Sequence, residues 1–441
     1  MYTGFLLLLI ASCRKEDDLD VRQPVGLGGD STARGPIDNW LLDSLTKPYN
    51  ISVKYRWDPW ELNLANTLTP PDESKVIEAM AAVKRVWIDP YNAETGSELF
   101  IKRYSPKQFV LVGSVEYLPN GTVTLGQAEG GNTITFFDIN QNFDQNNISS
   151  LRRMIHTSHH EFAHILHQNV MYPQEYKSIS SNLALTGYTS TWFNVAEEDA
   201  LDEGYITPYA MASPDEDFVE MISAMLMEGK TRFDEIVAST NATAQESLRQ
   251  KEQIVVNYFR EVWNIDFYSL QRRVQAALKA LVPTPAINDA YGFGKPFTTA
   301  TAFTGSQAFL PQSTSFQNLY NQSRNAVAAL PYGIVLDSIA ILNVAADAAV
   351  LRMYVSQNGN TFFADFLHDA SNNNGVYAFS LVAANQNGEL IADAVAPLLD
   401  YFADNQFAVS WFADPSVSIH PRARFTPQAR PNSFFTARLR P

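Results

Sequence analysis

The sequence predicts an α+β fold in two parts, a mixed sheet with long helices over residues 36–284 and a β-rich region over 285–441. Three observations predict it. Apolar residues recur at helical spacing through the first part, as at Val76, Ile77, Met80 and Val83. Period-two alternation is brief there and becomes the main pattern beyond Pro283-Thr284-Pro285. Within the first part lies one helical run, HTSHHEFAHILHQ, that holds His156, His159, His160, His164 and His167, five of the seven histidines.

The N-terminus reads differently from the rest. FLLLLIAS, residues 5–12, is apolar, too short to span a bilayer, and ends in small residues. Ile10-Ala11-Ser12-Cys13 fits a bacterial lipobox, although no Lys or Arg precedes the run. The expectation is a signal peptide over 1–12, lipidation at Cys13 and a flexible tether over 13–35. Arg14-Lys15-Glu16-Asp17-Asp18 resembles the signal that carries lipoproteins to the outer face of the outer membrane, so the expected location is lipid-anchored there, facing outward. With Cys13 the only cysteine, no internal disulfide can form. A net charge of -15 argues against nucleic acid as a partner.

In chain order, Ile37, Trp40, Leu41 and Leu45 predict a short helix, and Ile51, Val53 and Tyr55 a strand. A helix is expected over Asp72–Val86. Strands follow at Phe109–Tyr117, Thr122–Leu125 and Thr133–Ile139, with a Pro119-Asn120-Gly121 turn. The histidine run belongs to a helix from Leu151 to about Met171, capped by Ser149 or Ser150, that buries Leu151, Met154, Ile155, Phe162, Ile165 and Leu166. Helices are expected at Glu216–Met227, Gln245–Trp263 and Phe267–Leu281. The last region should hold strands at Ile334–Val344, Val350–Val355, Val376–Leu381 and Phe407–Phe412, with one helix at about Leu390–Phe402.

HEFAH, His160 to His164, puts two imidazoles four residues apart on one helix face, where both reach one Zn2+ ion. Glu161 is then placed as a general base for hydrolysis. Catalytic zinc needs a third protein ligand. No HxxGxxH continuation follows, so a carboxylate on a later helix is expected, and Ser213-Pro214-Asp215-Glu216-Asp217-Phe218-Val219-Glu220 offers two on one face. Ser213 with Glu216 also reads as a capping box, so spacing alone leaves Glu216 between cap and ligand, with Glu220 as its substitute. His167 shares the ligand face and is expected to back a ligand or face substrate. His156 and His159 are expected at the cleft rim or hydrogen-bonded inside.

HEFAHILHQ, GYITPYA and DEDFVE, with YNISVKYRW and KEQIVVNYFREVWNIDFYSLQ, resemble the zinc-binding metallopeptidase family of substrate import-associated zinc metallohydrolase lipoproteins. The resemblance covers most of residues 36–281. It implies a zincin-like catalytic domain of gluzincin type, in which an edge strand holds extended substrate. The spacing of Tyr209, Glu216 and Glu220 is similar to that of lethal-factor-type gluzincins. That likeness implies Glu216 as the metal ligand, Glu220 as hydrogen-bond partner of a ligand imidazole, and Tyr209 as the oxyanion stabiliser. It also implies a peptide or glycopeptide substrate, and a locus shared with a TonB-dependent transporter and its binding lipoprotein. The competing readings are a surface lipoprotein that binds a glycan or partner around a structural or vestigial zinc, and a zinc amidohydrolase acting on non-peptide bonds.

Overall fold

The computed structural model describes residues 34–441 apart from 58–61, 63–66, 118–122, 125, 130–131, 145–147, 181–186, 304–309 and 419. The expected signal peptide, Cys13, nearly all of the tether and the Pro119-Asn120-Gly121 turn lie outside the described residues.

The first region is built on a mixed four-stranded sheet. Strands β1 (Ser52–Lys54), β2 (Gln108–Leu111) and β6 (Thr133–Phe136) run parallel, and β5 (Gly126–Glu129) pairs antiparallel with β6 at the edge. A separate hairpin joins β3 (Glu116–Tyr117) to β4 (Val123–Thr124). The expected strand at 109–117 is therefore two, interrupted where Gly113 passes so close to Pro70 and Asn140 that a Cβ would stand 2.3 Å from the Pro70 carbonyl oxygen.

The helix Glu73–Val83 continues through a wider π turn, Lys84–Ile88, into Asp89–Thr95. Its Trp87 and Tyr91 each meet Phe162 edge-on at 5.1 Å, and Trp87 also meets Phe109 of β2. Phe162 lies inside HEFAH. Burying it fixes the rotation of the histidine helix, Ile148–Asn169, against the sheet and turns its polar stripe the other way. All six residues expected on the buried face of this helix are buried. The helix is described from Ile148, and the Ser150 hydroxyl accepts the Asp144 amide at 2.8 Å.

The carboxylate helix, Pro214–Ser239, lies against the histidine helix and runs twelve residues beyond the expected end at Met227. It does so through a break at Gly229, whose φ of 72° is outside helical space. Ala242–Trp263 and Phe267–Leu281 complete the helical layer.

Residues 299–440 form a closed eight-stranded barrel in the order β10-β11-β12-β13-β14-β7-β8-β9. Its strands are β7 (Thr299–Phe303), β8 (Val335–Ala345), β9 (Ala348–Gln357), β10 (Asn360–Asn373), β11 (Val376–Ala384), β12 (Gln406–Ala413), β13 (Arg422–Pro427) and β14 (Phe435–Arg440). Every pairing is antiparallel, and β14 closes the barrel on β7. Helices Thr314–Ala328 and Gln386–Ala403 share its core, where Phe316, Phe402, Phe407, Phe425 and Phe435 pack together. No described helix is long and apolar enough to cross a membrane.

Candidate metal centre

His160 and His164 stand one helical turn apart with ring centroids 4.9 Å from each other. Facing them is the first turn of the carboxylate helix. Ser213, in extended conformation with φ -163°, caps that turn by accepting the Glu216 amide at 3.2 Å, and Pro214 occupies the first helical position. The Glu216 side chain points away from the cap. Its Oε2 lies 3.1 Å from His160 Nε2 and 3.3 Å from His164 Nε2. Cap and ligand were alternatives on spacing; here the Glu216 amide is held by the cap while its side chain faces both imidazoles.

Glu220, one turn on, meets the other nitrogen of the same ring: its Oε1 is 2.7 Å from His160 Nδ1. Through Oε1 it also meets His156 Nε2 at 2.8 Å, and through Oε2 it accepts from the Thr207 hydroxyl at 2.7 Å. A carboxylate that accepts a hydrogen bond from Nδ1–H of the neutral His160 ring fixes the tautomer whose lone pair is on Nε2, the atom turned toward Glu216. Thr207 in turn accepts the Ala210 amide at 3.1 Å, capping the short 3-10 turn Tyr209–Ala212. One hydroxyl thus joins the turn bearing Tyr209 to the carboxylate that orients His160.

Two triads therefore bring their donor atoms within 4.8 Å of one another: His160, His164 and Glu216, and His156, His160 and Glu220. They share His160, which offers Nε2 to one and Nδ1 to the other. His156, expected at the cleft rim or hydrogen-bonded inside, is bonded to Glu220, a partner 64 residues away that spacing could not supply.

The electrostatics follow from burial against pairing. Burial opposes charge on His160, yet its bonds to Glu216 and Glu220 outweigh that and raise its pKa to about 10. Burial likewise pushes Glu216 up, and the two imidazoles overcome it, leaving the carboxyl at about 2. Glu161 is 7% exposed, and its pKa is raised by burial, against the pull of His160 and His164. Tyr209 lies with its ring 5.8 Å from His160 and 4.9 Å from Trp192. Burial first, and then the charges of Glu216 and Glu161, hold its phenol well protonated.

The remaining histidines separate cleanly. His167 does not face Glu216; its Nε2 sits 3.0 Å from His164 Nδ1, behind the ring, and burial lowers its pKa to about 4. His159 is fully buried beside Tyr91, with its pKa lowered by burial to about 3. His368 is buried in the barrel, its Nδ1 2.9 Å from the Phe366 carbonyl oxygen. Beneath the centre, the fully buried Asp217 carboxylate binds Lys251 at 2.6 Å and accepts from Tyr188 at 3.0 Å, which anchors the start of the carboxylate helix to its neighbours.

Two imidazoles and a carboxylate on crossing helices, beside a buried glutamate, form a donor set that could hold a metal ion in the way hydrolases do. The sequence model of the family described as "Putative zinc-binding metallo-peptidase" matches residues 30–268, and the chain belongs to that family. A crystal structure of a putative zinc-binding metallo-peptidase from Bacteroides caccae shares 30% identity, covering 56% of this chain and 92% of that one, with a TM-score of 0.48. No curated protein matches the chain.

Proposed function

We propose that the protein is a zinc-dependent peptidase of the HExxH, gluzincin kind, with residues 36–284 as its zincin-like catalytic domain. One observation carries the reading: Nε2 of His160, Nε2 of His164 and Oε2 of Glu216 converge within 4.8 Å, with Glu161 on the same helix. Two neutral nitrogens and one carboxylate oxygen suit zinc, and three protein donors leave a position open for chemistry. When bound there, zinc supplies Lewis acidity that makes water nucleophilic near neutral pH.

The chain's own residues then have separable tasks. Glu161 takes the proton of the attacking water and returns it to the leaving amine. The Tyr209 hydroxyl, kept protonated by its surroundings, donates to the oxyanion that develops on the scissile carbonyl. Glu220 holds His160 in the tautomer with Nε2 free. Strand β5 is the outer strand of the sheet, and an extended peptide can add to that edge by backbone hydrogen bonds.

Glu161→Gln should retain zinc in metal analysis and lose hydrolysis by roughly 10²–10⁴-fold. Zinc-loaded wild type that cleaves nothing in a broad peptide library, like the variant, would overturn the enzyme reading. We place the enzyme on the outer membrane, anchored through Cys13 and trimming peptides or glycopeptides ahead of import by a TonB-dependent transporter. The lipobox residues support the anchor, and Cys13→Ala should move the protein from the membrane to the soluble fraction.

A further inference from the structure

Beyond Asp414 the chain has five arginines and no acidic residue, within a protein of net charge -15. Four of them fall on two neighbouring barrel strands. Ala423 and Phe425 of β13, and Ala437 and Leu439 of β14, are buried toward the barrel core. Alternation therefore puts Arg422, Arg424, Arg438 and Arg440 together on the outer face. The register sets Arg422 directly opposite Arg438, so the four form one diagonal stripe. Within each strand the pairs are two residues apart, about 7 Å.

This stripe carries more positive charge than its surroundings neutralise. Glu235 of the carboxylate helix takes Arg422 at 2.5 Å. Among the described residues no ion pair or side-chain hydrogen bond reaches Arg424, Arg438 or Arg440. Thr301 and Thr299 of β7, both uncharged, lie opposite Arg438 and Arg440. Burial, with Arg440 and Arg422 alongside, lowers the pKa of Arg438 against the opposing pull of Glu235. The Arg424 guanidinium is held 4.4 Å from the Phe434 ring centroid and 5.0 Å from that of Phe412, and its Nε has no partner. Elsewhere on the barrel an outward arginine is matched: Arg352 forms two bonds with Asp365, at 2.7 and 2.8 Å. Arg422 is buried against Glu235 and so leaves three charges, Arg424, Arg438 and Arg440, that rigid strands and aromatic rings hold preorganised for anions.

We propose that this stripe is a binding site for extended ligands bearing two or more phosphate or sulfate ester groups spaced about 7 Å apart. The three cations left unpaired are arginines, whose planar forks match the paired oxygens of such esters. The acidity of the whole chain does not forbid this. At physiological salt the Debye length is about 8 Å, so the local stripe governs what binds to it. The site is independent of the metal centre and stands whether or not the chain is a peptidase.

The test uses the unlipidated full chain, Cys13→Ser, in titrations at fixed ionic strength balanced with chloride. A sulfated hexasaccharide should bind at least tenfold more tightly than inorganic sulfate, because two esters engage one rigid surface. The Arg438→Gln/Arg440→Gln double variant should lose at least tenfold of that affinity with an unchanged thermal melt, while Arg352→Gln changes nothing. Vesicles containing phosphatidylglycerol, compared with phosphatidylcholine alone, distinguish a lipid headgroup from a soluble ester. Capture by the anionic vesicles that the double variant abolishes also supports the site and identifies its source. The proposal fails if neither hexasaccharide nor anionic vesicles bind above the chloride control, or if the double variant binds them as well as wild type.

Discussion

At the scale of single residues, the metal centre depends on one carboxylate doing no ligation in the proposed arrangement. Glu220 Oε1 contacts His160 Nδ1 and His156 Nε2, and its Oε2 holds Thr207. Glu220→Gln keeps the shape but loses the charge that fixes the His160 tautomer, so zinc affinity should fall about 10–100-fold in competition with a chelating dye. Proton linkage gives a second expectation. In the metal-free protein His160 keeps its proton up to a pKa of about 10, and zinc must displace it. Below that pH each zinc bound should release about one proton from this ring, and affinity should weaken about tenfold per unit as pH falls from 9 to 7. Calorimetry in buffers of different ionisation enthalpy measures the release, and a pH-independent zinc affinity would show that His160 is already neutral. HEFAH was readable as a candidate because both imidazoles sit in one helical turn, and the Glu216/Glu220 pair because it repeats at four. His156 and Thr207 were not, since each acts only through a residue brought near by the crossing of two helices.

At the scale of elements, the two site helices are locked to each other away from the metal. Arg152 of the histidine helix reaches the Glu228 carboxylate at 2.8 Å and bonds the Met227 carbonyl oxygen. Glu228 sits just before the break at Gly229, where the carbonyls freed from the helix are taken up by Gln271 on Met225 at 2.6 Å and by Gln275 on Leu226 at 2.6 Å. Gly229 is needed twice over, for its φ of 72° and because a Cβ there would stand 3.0 Å from Gln275. Gly229→Ala should cost about 1–3 kcal/mol in urea unfolding. A loss under half a kilocalorie would mean that the break straightens without strain. Glu228 is half-buried, which opposes its charge, yet Arg152 and Arg232 hold its pKa below the usual value. Its stabilisation is therefore complete above pH about 4.5 and declines as pH falls through the depressed value, a slope that Glu228→Gln should remove. The sequence showed the helix as far as Met227 because the apolar period is strong there, and the break hid its continuation. It also hid β10: the Asn358-Gly359 turn, with φ of 48° and 82°, was the available signal for a β9–β10 hairpin. The polar helix Thr314–Ala328 and the arginine-alternating β13 and β14 lack the apolar density that marks an element, and closure of β14 on β7 joins segments more than 130 residues apart.

At the scale of the molecule, the barrel is fastened to the first region where the carboxylate helix ends. Glu235 and Arg422 are 2% and 6% exposed and meet at 2.5 Å, while the Ser418 hydroxyl lies 2.9 and 2.7 Å from the two Glu235 oxygens. Arg232 adds a bond to the Pro415 carbonyl at 2.6 Å, and Trp411 Nε1 donates to the Pro285 carbonyl at 2.9 Å. A buried pair contributes little over an apolar substitute, but removing one partner strands the other charge without water. Arg422→Ala should therefore destabilise by about 3–5 kcal/mol, whereas a Glu235→Leu/Arg422→Leu double variant should recover most of that loss. The same helix begins at Glu216 and ends at this junction, so the single variant loosens an element that the metal centre shares. Calorimetry of wild type should give one unfolding transition, and Arg422→Ala should split it, with zinc raising only the transition of residues 36–284. If both transitions of the variant moved with zinc, the barrel and the metal centre would be coupled through contacts other than Glu235 and Arg422.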